Sequence, residues 1–193
     1  YNNQSTFKDF TSNARNKFDF LGFDDGSRKL PAGFPGSFQA YNPLSNSDKA
    51  KYSAQVKNSY AEISPMAIPS QNHQLTWGKR KDYKNGASFG NVVSLSYRNS
   101  QNRALAERKD YEFSGTPFYE YSENISKYST NLGLLANLAY IKGSNKIAFK
   151  NMYNRSFEDN YTSRTGFTTD NIQDVRLNVS DLTTKSLLNS QLE

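Results

Sequence analysis

YSTNLGLLANLAYIK-GS-NKIAFKNMYNRSF, residues 128–157, decides the fold. It consists of two runs of about a dozen residues joined by Gly143-Ser144, a dipeptide suited to a two-residue hairpin turn. Folding there pairs Tyr140 with Ile147, Leu138 with Phe149, Ala136 with Asn151 and Leu134 with Tyr153 on one face. The other face receives Ala139–Ala148, Asn137–Lys150, Leu135–Met152 and Gly133–Asn154. One face is large and apolar. The other is small and polar apart from Leu135 and Met152, which is the pattern of a sheet between two different solvents. Leu132, Leu135, Ala136 and Ala139 also match a helical period, so a buried helix is the rival reading. Gly133, the missing caps and the matched second run speak for the hairpin.

These runs exceed the five or six residues usual for strands of soluble domains. Tyr128 and Tyr140 share the outward face, and their spacing projects to roughly 28 Å on a strand tilted near 45°. An apolar band of about 25 Å edged by aromatic rings is the mark of an outer-membrane β-barrel.

Composition permits this. Only 35% of the 193 residues are AVILMFWYC, 14% are aromatic, and mean hydropathy is low. A soluble β-sandwich would carry more Val, Ile and Leu, whereas barrel strands with a polar lumen would not. No apolar run approaches about 18 residues, so no transmembrane helix is predicted. Tyr1 is not an initiator Met and no signal peptide is recognisable, so the chain is expected to be mature or a piece. The absence of cysteine removes disulfides and thiolate metal sites. The net charge of +6 raises nucleic acid as a partner, but the cations are dispersed and no nucleic-acid motif is present. The expectation is no nucleic acid. Positive charge also suits anionic headgroups or an anion-attracting lumen.

Two regions follow. Residues 1–72 are read as the end of a first strand plus a long loop. That loop holds Asp19-Phe20-Leu21-Gly22-Phe23-Asp24-Asp25-Gly26-Ser27-Arg28 and a short helix near 46–57, with Ser45 and Asp48 spaced as a capping box and Ala50, Ala54 and Tyr60 on one side. The flanking Phe residues suggest a loop that packs on itself. Asp24 and Asp25 could be paired carboxylates or calcium ligands, but Asp-Asp-Gly more often makes a turn. Residues 73–193 are read as five long antiparallel strands in up-and-down order, centred near 73–79, 88–100, 127–141, 146–157 and 175–192. The short connections are 79–87 and Gly143-Ser144, and the long ones are 101–125 and 158–174. Short periplasmic turns alternating with long extracellular loops are the barrel pattern. Trp77, Phe89, Tyr140 and Ile147 then fall together as a girdle at the periplasmic edge. The two hairpin-plus-loop units mimic a propeller or solenoid period, but the strands are too long and the loops too unequal. His73, the single histidine, reads as surface, and no catalytic set or phosphate loop is visible, so neither enzyme activity nor a cofactor is expected. Asn124-Ile125-Ser126 and Asn178-Val179-Ser180 match glycosylation acceptors, which carry no weight if the protein is bacterial.

The run from Asp19 to Arg28 with Leu30-Pro31 resembles the first large loop of TonB-dependent outer-membrane receptors of the type with a carboxypeptidase-regulatory-like N-terminal domain. Leu95-Ser96-Tyr97-Arg98-Asn99-Ser100 with Glu107-Arg108-Lys109-Asp110-Tyr111 resembles the next strand and loop. Asn151-Met152-Tyr153-Asn154-Arg155-Ser156 with Arg164-Thr165-Gly166-Phe167 resembles the one after. The resemblance implies an all-β, 22-stranded transmembrane barrel of which this chain is an early segment, closed by a plug that lies elsewhere. It implies import of a bulky, scarce nutrient such as a siderophore, cofactor, glycan or peptide. The implied partners are the rest of the barrel and its plug, the TonB complex, outer-membrane lipids and a surface lipoprotein. Substrate-facing candidates are Asn137, Lys150 and Asn154 on the lumen side, with Asp24, Asp25, Arg28 and Arg164 in loops above them. The competing function is a soluble or cell-surface β-rich module whose Tyr and Phe side chains stack on sugars.

Overall fold

The computed structural model describes residues 3–4, 10–56, 62–65, 68–169 and 173–193. It is an antiparallel, mostly β structure built on one long sheet. The short elements are β1 (Asn3–Gln4), β2 (Ser12–Asn13), α1 (Phe38–Tyr41), α2 (Asn46–Gln55) and β3 (Glu62–Ile63). The long strands are β4 (Gln71–Asp82), β5 (Ala87–Tyr111), β6 (Pro117–Lys142), β7 (Asn145–Thr168) and β8 (Gln173–Leu192). β4 to β8 run as an up-and-down meander, with β1 continuing beyond β4 along the same edge of β5.

The decisive hairpin forms as read. Gly143 takes φ of 57°, closing a turn between Lys142 and Asn145, and Leu138 pairs with Phe149 and Asn137 with Lys150. The first turn is narrower than 79–87: Tyr83–Gly86 suffices, with Tyr83 N–H donating to the Ala87 carbonyl at 2.8 Å and Gly86 at φ of 76°. These two turns define the near end of the sheet. There Phe89, Tyr140 and Ile147 lie in one register row, and Trp77 sits on the same face two rows farther in.

The two long connections are a correction. Residues 101–125 are not a loop. β5 and β6 stay paired to Tyr111–Pro117, and only the turn around Glu112–Thr116 intervenes, with Gly115 at φ of 82°. Likewise β7 and β8 stay paired to Thr168–Gln173, so most of 158–174 is strand. The physical reason is that these stretches are polar on both faces, which hides alternation, while cross-strand pairs hold them. Arg103 Nε donates to Asn124 Oδ1 at 2.7 Å, Arg108 Nε to Glu123 Oε2 at 3.0 Å, and Lys127 pairs with Glu158 at 2.9 Å. Each such pair contributes about 0.2–1 kcal/mol. β6, with 26 residues, is therefore about 86 Å long at about 3.3 Å per residue.

Residues 10–28 lie across the far half of the apolar-type face. Phe10, Tyr128 and Phe157 form the one buried hydrophobic cluster among the described residues, with Leu182 against it. Tyr128 is 2% exposed, so it is not the upper girdle residue expected of it. The N-terminal segment covers it: Arg15 stacks 4.1 Å over its ring, and Asn13 Nδ2 donates to Asp159 Oδ1 at 2.5 Å nearby. Asp19–Leu21 forms a single helical turn, and Gly22, at φ of 76°, brings the chain close enough that a Cβ there would sit 3.2 Å from that of Phe157. The loop packs on the sheet through Gly22 and a buried Asp19–Arg28 pair, while Phe18, Phe20 and Phe23 remain exposed. α2 begins at the predicted cap, Ser45 accepting from the Asp48 N–H at 3.1 Å. Lys57 and Tyr60 fall outside the described residues, and α2 itself buries nothing.

Candidate functional site

Strict alternation along continuous strands gives the sheet two chemically distinct faces. In register, Leu75, Leu95, Leu134, Tyr153 and Leu188 form an apolar row five strands wide. One residue along, Gln74, Ser96, Gly133, Asn154 and Leu187 form a row of the opposite, polar face. On the near half of the apolar face, Leu75, Trp77, Leu134, Leu138, Phe149, Leu188 and Leu192 are all exposed, and no described residue covers them.

Three of the candidate residues come together on the polar face. Asn137 and Lys150 are cross-strand partners. Asn137 Oδ1 accepts from the Asn151 N–H at 3.3 Å, and Lys150 is held at 2.5 Å by Glu193, which also pairs with Lys146 at 3.7 Å. Asn154 lies two rows away opposite Gly133. A groove of about 460 Å³ runs past Asn137 and Lys150 over Gly78, Gly90, Ala139 and Ala148. These small residues make the face concave there.

The loop candidates do not join them. Asp24, Asp25 and Arg28 belong to the segment on the opposite face of the sheet. Arg28 is spent on a bidentate pair with Asp19, at 2.7 and 2.6 Å, and on the Ala14 carbonyl at 3.3 Å. Those bonds raise the guanidinium pKa above its ordinary value despite the opposing effect of burial. Asp24 lies 4.0 Å from Arg28 and accepts from Asn16. Asp25 makes a turn, accepting from the Ser27 N–H at 2.9 Å, and its hydrogen bonds from Ser27 hold its carboxyl below the usual range. Among the described residues, no three His, Cys, Asp or Glu side chains are grouped to hold a metal.

Arg164 is on the polar face but far from Asn137, in a cluster that sequence reading missed. Glu123, 1% exposed, receives Arg108 Nε at 3.0 Å on one oxygen and Arg164 on the other. Arg164 also lies 5.0 Å over Tyr121, which stacks on Tyr119 at 4.9 Å. The residues come from three strands, and the signal was the in-register spacing of Ala106, Glu123 and Arg164, legible only once 101–125 is paired. The triad crosslinks β5, β6 and β7 and carries one uncompensated positive charge.

No family model, curated protein or solved structure matches this chain.

Proposed function

We propose that this chain is a segment of a TonB-dependent outer-membrane transporter that imports a bulky, scarce nutrient. In this reading β4–β8 form part of the wall of a 22-stranded barrel, and the polar face lines the lumen. The observation that carries it is the near half of the sheet, where an uncovered apolar belt backs onto a face richer in small and polar residues, though Val92, Leu135, Ile141, Met152 and Leu187 also stand on it. From the Tyr97 row to the Phe89 row the belt is about 26 Å along the strand, or about 20 Å upright at a tilt near 40°. Phe89, Tyr140 and Ile147 edge it at one side, and His73 stacked on Tyr97 edges it at the other. The edges of β4 and β8 that pair with no described residue are where neighbouring barrel strands would add, since open edges of this length aggregate in water. Strands of 20 to 26 residues reach well past a bilayer, so the far half stands outside the cell.

Trp77, exposed on the apolar face near its edge, provides the test. The intact protein, with any tryptophan outside this chain replaced so that Trp77 alone reports, is placed in liposomes containing brominated lipid. Strong quenching by bromines near the headgroups, and none by aqueous iodide, is expected. Quenching by iodide alone would instead favour a soluble β-rich module that stacks its aromatic side chains on sugars.

A further inference from the structure

Nearly every cation of the polar face touches a carboxylate of that face. Arg108 and Arg164 share Glu123, Lys127 pairs with Glu158, Lys146 and Lys150 share Glu193, and Arg80 pairs with Asp82. Among the described residues of β4–β8, Arg98 and Lys185 alone on that face have no ion partner. They are not scattered. Arg98 is in register with Asn131, Asn131 with Ser156, and Ser156 with Lys185. The four side chains form one row across β5–β8, with the two cations at its ends and Asn72 of β4 next to Arg98. Three strand spacings of about 4.8 Å set those ends about 14 Å apart.

The groups between the cations are also unspent, since neither Asn131 nor Ser156 makes a side-chain hydrogen bond to a described residue. Beside the row, Ser96 Oγ and Asn154 Oδ1 lean in over Gly133, where a Cβ would lie 2.4 Å from the one and 3.0 Å from the other. A depression of about 270 Å³ opens there, walled by Asn131, Asn154, Ser156 and Lys185. The adjoining row contains Glu158, but Lys127 already holds that carboxylate at 2.9 Å. The row thus presents two positive charges, an amide and a hydroxyl, all facing open space. Two free cations flanking neutral hydrogen-bonding groups match a ligand with several hydroxyls and more than one negative charge.

We propose that the row Arg98–Asn131–Ser156–Lys185 is a binding subsite for an anionic, hydroxyl-rich ligand, namely an acidic oligosaccharide. Its place in a lumen rests on the transport reading, whereas its preference for anions can be measured separately. The guanidinium and ammonium ends take carboxylates or sulfates, and Asn131, Ser156 and Asn154 take hydroxyls between them. Because the row spans four strands, it reads an extended ligand rather than a single small anion.

Titration calorimetry on the intact protein in detergent tests this, with trigalacturonic acid as the acidic probe and maltotriose as its neutral counterpart. Trigalacturonic acid is expected to bind at least about tenfold more tightly than maltotriose at low salt, and to weaken as salt is raised. The double variant Arg98→Gln, Lys185→Gln should lose at least about tenfold for trigalacturonic acid with maltotriose unchanged. Both side chains are exposed and unpaired, so the variant keeps its fold, and unchanged Trp77 quenching by brominated lipid checks this. Equal affinity for the two sugars, or a double variant that binds trigalacturonic acid as the parent does, would overturn the subsite and leave the transport reading intact. Trp77 quenched only from water would instead overturn the transport reading and, with it, the subsite's place in a lumen.

Discussion

The near and far halves of one sheet face differ in what covers them. In the near half, Leu134, Leu138 and Phe149 are exposed and nothing described touches their outer side. In the far half, on the same strands and the same alternation, Tyr128, Phe157 and Asp159 are buried under residues 10–28. A single continuous pleat thus faces two environments, and the change falls across the Tyr97–Leu132–Arg155 row, where Arg155 already meets Gly22 and Phe23. The near half has chosen apolar side chains with no protein partner. The far half uses a small aromatic cluster, a buried ion pair and side-chain hydrogen bonds. The difference teaches that strand length alone does not measure how much of a sheet face lies uncovered.

The largest effect should come from breaking the far half. Asp19→Ala leaves the nearly buried Arg28 guanidinium without its bidentate partner, and should cost about 3–5 kcal/mol in the docking of residues 10–28. Amide exchange should speed up in that segment and leave the near-half strands protected. Equal loosening of both halves would mean they are not independent.

Next comes the near half. Leu138→Arg should destabilise the intact protein in lipid by about 2–4 kcal/mol if the position is near the midplane, while Asn137→Arg, on the other face, should change stability little. Denaturant unfolding in liposomes of the two variants measures the contrast, and similar losses would erase the distinction between the faces.

Smaller still is the cap of α2, which belongs to neither half. Ser45→Ala removes the acceptor for the Asp48 N–H and should cost about 1 kcal/mol of local helix stability. Circular dichroism of the intact protein would hardly register it, so exchange rates at Asp48 and Lys49 are the readout. The least effect is that of acid on the exposed Asp25 turn. Its folded pKa is depressed by the hydrogen bonds from Ser27, so its contribution is present above the unfolded value near 3.8 and is lost as pH falls through the folded one. An NMR titration of the Asp25 carboxyl should place its midpoint below that of an unstructured peptide. A midpoint at or above it would contradict the turn.

Much of the near half was legible in the sequence because each strand there alternates large apolar with small or polar side chains. Leu134, Leu138 and Phe149 against Asn137, Lys150 and Asn154 spell the pleat directly, and Gly143-Ser144 marks the turn. The far half was not legible for the same reason in reverse. Glu107–Tyr111 and Tyr119–Glu123 carry polar side chains on both faces, so no alternation distinguishes strand from loop. Arg28 was misplaced because its partner, Asp19, lies nine residues back across a turn, and spacing does not reveal that the pair is buried. Tyr128 was taken for a girdle residue because its spacing to Tyr140 is right, and what covers it comes from more than a hundred residues away in the chain, at Phe10 and Arg15.

The central claim is that the near half of the apolar face lies in lipid and its reverse in water. Single cysteines at Leu138 and Asn137, adjacent in sequence and opposite in face, test it most directly in the intact protein on whole cells and in liposomes. The cysteine replacing Leu138 should react with a lipid-soluble maleimide and stay hidden from a charged, water-soluble one, with the cysteine replacing Asn137 doing the reverse. Equal labelling of both from water would contradict the account.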